Sequence, residues 1–360
     1  MKNIFYLMQL ITATLLLPVS SNAQTPKEQT TNVTQQTKSI FDTWQSKEVL
    51  QLQLTTNMKK FVKGKKEEEK QAALLKYIDK NGQEKGHSVK IRARGNMRKD
   101  ICSFPPIKLY YSKGFLDSMG LNKRYNDYKL VLSCKSQSTY QNYVLEEFLI
   151  YQLYNLLTDL SYQVQLIHLT IEDSENKYKT IESYGFIIEN DEEMADRLGG
   201  TLIKPRVLSP RAIIPEHYDR MTLFQYMIGN TDWYMYNKHN MKILKRAGDS
   251  YPIIIPYDFD YSGIINASYA VPHEKLPIEY VRERFFLGMC REEGVYTPSL
   301  QLFRDKKAAI LAACENFDLL NEKARKNTIN YLNGFFNILE DDKKTRRNII
   351  EHCDQHVKFD

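Results

Sequence analysis

The order of patterns along this 360-residue chain predicts an α+β fold, with an antiparallel sheet and one long helix followed by a mainly helical half. Three observations carry that reading. Val49–Leu54, Ser88–Ala93 and Ile107–Tyr111 alternate apolar and polar residues, the period of half-buried strands. A helical stripe of Val144, Phe148, Tyr151 and Asn155, flanked by Leu145, Leu149 and Leu153, then runs to about Leu157. Beyond Glu216 helical patterns dominate, broken by one hairpin pairing Asn240–Leu244 with Ile253–Tyr257.

The other elements follow in order. Asn81-Gly82 is turn chemistry between strands. Tyr128–Leu132 reads as a further strand, and Ser138 or Thr139 caps the long helix. Val164–Ile171 and Tyr184–Glu189 are strands, after which the acids of Asn190–Glu193 favour the start of a short helix. A helix at about 219–228 precedes the hairpin, and Ile329–Leu339 lies among the last helices. The expected organisation is a signal peptide (1–23), a flexible segment (24–46), a sheet-plus-helix lobe (47–190) and a helical lobe bearing the hairpin (191–360). A cleft between the lobes would place the hairpin at their junction.

The N-terminus has the parts of a secretory signal: Lys2, an apolar run from Ile4 to Leu17, and small residues Ser21-Asn22-Ala23. That run is shorter than the roughly 20 residues of a membrane span. The expectation is an exported protein, periplasmic or at the cell surface or beyond, with no transmembrane span after cleavage. A net charge of +6 is spread along the chain without a basic stripe, which argues against a nucleic-acid partner. The densest charge run, Lys59 to Lys70, reads as a solvated hairpin or loop. Five cysteines leave at least one unpaired, and Cys102 with Cys134 is the expected bridge.

The chemistry concentrates in Gly229-Asn230-Thr231-Asp232-Trp233, His239-Asn240 and Asp258-Phe259-Asp260. Asp232 falls on a loop, where a carboxylate can orient a hydroxyl or accept its proton; turn formation is the plainer role. Asp258 follows the apolar run Tyr251–Tyr257, and an acid at the end of a buried strand must be paired, hydrated or metal-bound. Asn237 and Asn240 each offer a hard oxygen suited to Mg²⁺. Two acids with amides between them are the parts phosphoryl transfer requires. Lys108 projects opposite its apolar strand neighbours, where its ammonium could meet phosphates, steadied by Glu146 or Glu147. Arg92 and Arg94 share a strand face and could serve the same end. His239 is read as positional support.

In the order Arg94-Gly95-Asn96, Phe104–Leu109, Tyr184–Glu189, Gly229–Trp233, His239-Asn240 and Ile255–Asp260, these segments resemble the CotH (spore coat protein H) kinase family over about residues 88–265. The resemblance implies a two-lobed atypical protein-kinase-like fold and transfer of the ATP γ-phosphoryl group to protein Ser/Thr hydroxyls with Mg²⁺ or Mn²⁺. Carried over by position, Asp232 is the base-like aspartate, and Asp258 and Asn240 are the metal ligands. Lys108, Arg94 and, as partner to Lys108, Glu147 are the nucleotide-binding residues. Arg94-Gly95-Asn96-Met97 lacks the serine that often follows such a motif, and Cys102–Pro106 replaces a lysine-rich approach to the strand. The alternative is a cell-envelope binding protein on an inactive kinase scaffold; adenylylation is a third reading.

Overall fold

The alternating strands of the first half form the expected antiparallel sheet, but it does not stay open. They curl into a closed seven-stranded barrel in the order β1-β2-β3-β4-β5-β7-β6. The structure is a computed structural model that describes residues 37–351 except 68, 96–97, 236 and 291–293. The expected signal peptide, and the part of the expected flexible segment before residue 37, lie outside the described residues.

Along the chain come α1 (Ile40–Trp44), β1 (Leu50–Thr56), α2 (Met58–Lys63), β2 (Gln71–Ile78) and β3 (Glu84–Ala93). A turn of helix, α3 (Arg98–Ile101), leads to β4 (Ile107–Tyr110), α4 (Lys113–Ser118) and β5 (Asp127–Leu132). The long helix α5 (Ser138–Asn155) precedes β6 (Val164–Asp173), β7 (Ile181–Ile188), α6 (Asp191–Arg197) and β8 (Gly200–Ile203). The second half holds α7 (Pro215–Ile228), the hairpin β9 (Met241–Arg246) and β10 (Ile253–Pro256), and α8 (Thr297–Glu315), α9 (Glu322–Leu339) and α10 (Asp342–Thr345).

Barrel closure comes from a parallel pairing of β1 with β6, running from Leu50 opposite Ile167 to Thr56 opposite Asp173. Inward residues such as Leu54, Leu75, Ile91, Ile107, Leu130 and Ile187 fill the barrel with its own core. Closure leaves no edge strand exposed. The outward residues Val131, Leu166, Phe186 and Ile188 belong to a second, larger core shared with α5 and the helical half. Helix α5 is therefore buried nearly all round, including Glu146 and Glu147, as a helix between two layers must be. The two halves are not simple separate lobes, because this core runs from the barrel wall through to α9.

Three further local expectations change. Residues 37–46 of the segment expected to be flexible carry α1, which begins with a capping box between Ser39 and Asp42. Its Ile40, Phe41 and Trp44 join the barrel core, Phe41 stacking on Tyr128 and Trp44 meeting Tyr77 and Tyr128 edge-on. The Lys59–Lys70 run, expected as a hairpin or loop, opens with helix α2, capped by Asn57 through the Lys60 amide. Helix α5 starts at Ser138 without a side-chain cap, Gln137 occupying the cap position. The Cys102–Cys134 disulfide is present; Cys290 is disulfide-bonded as well, and Cys314 is a buried free thiol. Among the described residues no helix is long and apolar enough to cross a membrane.

Candidate functional site

Helix α7 stops at Gly229, whose φ of 66° lies in the left-handed region. Only glycine fits, because a Cβ there would sit 1.9 Å from Tyr331 Oη. The chain then turns on buried Asn230, whose Oδ1 accepts from the Asp232 amide at 3.0 Å while its Nδ2 donates to Gln225. Asp232 is thus held on a fixed turn. Asn240 donates through Nδ2 to the Asp232 carbonyl at 2.7 Å and to its carboxylate at 2.9 Å. His239 Nε2 lies 3.2 Å from the other carboxylate oxygen. The hydrogen bond to Asp232 raises the His239 pKa against the opposing effect of burial, so the imidazole steadies the acid. Asn237 instead accepts from the His239 amide in an exposed turn.

The hairpin delivers the second acid. Ile253–Pro256 are wholly buried, and the Tyr257 amide bonds to the Asn240 carbonyl, joining the hairpin's two ends. Asp258 does not continue an extended strand: its φ is 64°, and its amide donates to Tyr151 Oη of α5 at 3.0 Å. Phe259 anchors the turn against Tyr151 and Phe224. The Asp258 carboxylate makes no hydrogen bond or ion pair among the described residues. Burial raises its pKa, with Asp260 and Asp232 adding repulsion and Arg98 and Arg94 opposing. The fold therefore brings the two acids of the sequence motifs, Asp232 and Asp258, into electrostatic reach of each other with Asn240 beside them.

Arg98, outside the sequence reading, is the hub behind them. Its guanidinium donates to Asp260 Oδ2 through Nε at 3.1 Å and Nη2 at 2.7 Å, and to Glu147 Oε2 at 3.3 Å. Tyr269 Oη completes the group, donating to Asp260 at 3.1 Å. Burial raises the Glu147 carboxyl pKa and the Arg98 charge pulls against it; Arg98 leans on Asp260, its shorter contact. The Cys102–Cys134 bridge begins one helical turn beyond Arg98, whose carbonyl accepts from the Cys102 amide.

The expected Lys108–Glu147 pair does not form. Lys108 Nζ lies 2.9 Å from Asp127 on the neighbouring strand, and Glu147 belongs to Arg98. Glu146 faces α9, accepting from Thr328 Oγ1 at 3.0 Å. Arg94 ends up near Asp258, Glu147 and Tyr257, each of which feels its charge. Its guanidinium makes no hydrogen bond or ion pair among the described residues. Lys129 and Lys242 were also passed over; Lys129 stands on the polar face of a recognised strand, the same signal that singled out Lys108.

Among the described residues no three His, Cys, Asp or Glu side chains group as a metal cage. The donors at hand are the unpartnered Asp258 carboxylate and Asn240 Oδ1, left over because Nδ2 is spent on Asp232. Mg²⁺ is commonly held by one or two carboxylates together with waters and substrate phosphates. The donor set fits a cation that arrives with a phosphate ligand better than a resident structural ion.

No protein-family model matches the chain, and no curated protein does so either. Among solved structures, the crystal structure of a Helicobacter pylori proinflammatory kinase, CtkA, is similar at 11% identity and a TM-score of 0.37, covering 72% of this chain and 94% of that one. So slight a likeness carries no argument, and the site stands on its own geometry.

Proposed function

We propose that the chain is an exported kinase-like phosphotransferase, moving the ATP γ-phosphoryl group to Ser or Thr hydroxyls of a protein. The observation that carries this reading is the meeting of an unpartnered acid, Asp258, with an unpartnered cation, Arg94, beside the Asp232–Asn240 pair. A half-buried charge without a partner is costly, and a nucleotide with its cation would satisfy both groups. Asp258 and Asn240 would hold Mg²⁺ or Mn²⁺, which when bound neutralises phosphate charge. Arg94 would contact the phosphates. Asp232, fixed by Asn230, Asn240 and His239, would orient an acceptor hydroxyl and take its proton. The Cys102–Cys134 bridge supports export, since disulfides persist in oxidising compartments.

Incubation of the purified protein with Mn²⁺ and γ-labelled or α-labelled ATP, with and without envelope proteins as acceptors, tests the reading. Label from the γ position alone, lost in Asp232→Ala and Asp258→Ala, is the expected result. Label from the α position would replace kinase by adenylyl transfer. No label from either, with no nucleotide-induced rise in melting temperature, would favour a binding protein without turnover.

A further inference from the structure

The outer wall of the barrel carries a row of cations. The strand register sets Arg92 opposite Lys108 and Lys108 opposite Lys129. Lys108 is matched by Asp127 within the barrel wall. Lys129 is placed differently. Its Nζ lies 2.7 Å from Asp191 Oδ1, and Lys242, reaching across from β9, lies 2.8 Å from Asp191 Oδ2. Two ammoniums therefore share a single carboxylate, which Tyr162 Oη fixes further by donating to Oδ1 at 2.8 Å.

Both ammoniums also stand over the ring of Tyr257, 5.3 and 5.2 Å from its centroid. Tyr257 immediately precedes Asp258, so the lysines flank the candidate cation ligand. The unpartnered Arg94 guanidinium completes the group, its charge bearing on both Lys129 and Tyr257. Two ammoniums thus share one carboxylate in a half-buried place, their side chains 20% and 27% exposed, with Arg94 nearby. Each ammonium has three donors, and Asp191 is the hydrogen-bonding partner of both. Glu192 also bears on Lys242, and Asp258 lies on the Arg94 side, but two ammoniums on one carboxylate leave hydrogen-bond donors to spare, which suits an anion that accepts several charge-assisted hydrogen bonds.

We propose that Lys129, Lys242 and Arg94 form a binding site for a polyphosphate anion, with Asp191 holding the two lysines in place. Reading that anion as the tail of a nucleotide rests on the phosphotransfer reading above; the site's chemistry is phosphate itself. It moves the phosphate contact from Lys108, already neutralised, to a pair of lysines from two different sheets.

The probe is inorganic tripolyphosphate, without metal or nucleoside, titrated calorimetrically into the full chain. Wild type is expected to bind, Lys129→Met and Lys242→Met each to weaken binding about tenfold or more, and Lys108→Met to change it by less than about twofold. A footprint on the unaltered protein does not depend on whether the variants fold. Tripolyphosphate should protect Lys129 and Lys242, but not Lys108, from an amine-acylating reagent read by mass spectrometry. Absence of binding by wild type, full affinity in folded Lys129→Met, or equal protection of all three lysines would overturn the proposal and leave the triad as a brace between barrel and hairpin. Tripolyphosphate binding without transfer of labelled phosphate would keep this site and remove the kinase reading.

Discussion

Two arginines four positions apart in the chain meet opposite fates. Arg98 is enclosed by Asp260, Glu147 and Tyr269, every contact within hydrogen-bonding distance. Arg94 lies near Asp258 and Glu147 yet bonds to neither. The same contrast separates Asp260 from Asp258, two residues apart. One arginine–acid set is finished and joins α3, α5 and the turn that follows β10; the other is open. On the proposed reading, the finished group holds architecture and the open one takes a ligand. The open set is displayed on the frame that the finished one keeps rigid.

Breaking the finished set should have the largest effect. Arg98→Met leaves Glu147 and Asp260 buried without their cation, a loss of about 3–5 kcal/mol, measured as a shift in the urea midpoint at unchanged slope. A pH effect of intermediate size follows from Glu146. Burial pushes its carboxyl up to about 8 from the ordinary 4.5, with Thr328 as its hydrogen-bond partner. For an acid raised in the fold, the stabilising contribution is complete below the ordinary glutamate pKa and disappears as pH rises through about 8. Glu146→Gln should flatten the fall in melting temperature across that window; an unchanged slope would assign the fall to other groups. The open set should give the smallest stability change. Arg94→Met is expected to cost less than about 1 kcal/mol while weakening tripolyphosphate binding, and a loss as large as that of Arg98→Met would erase the distinction.

β2, with its unbroken apolar run Ala72–Leu75, was not read as a strand, but strands such as Leu50–Leu54 and Ser88–Ala93 were legible because they alternate against the barrel core. Closure was not, since it rests on β1 meeting β6 more than a hundred residues away, and nothing local encodes such a contact. Helix α1 follows a polar tract and is short; it is held by Ile40, Phe41 and Trp44 entering the barrel core, though the Ser39–Asp42 capping pair was readable. The convergence of Asp232, Asn240 and Asp258 was legible because the hairpin pairing sets both ends of β9 and β10 side by side. The choice between Lys108 and Lys129 was not. Both stand on polar strand faces, and Asp127, only two residues from Lys129, bonds across strands to Lys108. Arg98 was hidden for a similar reason, its partners lying 49 and 162 residues away.

Asp258, with Asn240 beside it, is proposed to serve a cation that comes with a nucleotide. Electron paramagnetic resonance titration of Mn²⁺ in the presence and absence of ATP measures this directly. Mn²⁺ should be held stoichiometrically by the wild-type chain only when ATP is present, and released in a folded Asp258→Asn variant. Equal Mn²⁺ binding by wild type and Asp258→Asn, or none by wild type with saturating ATP, would contradict it.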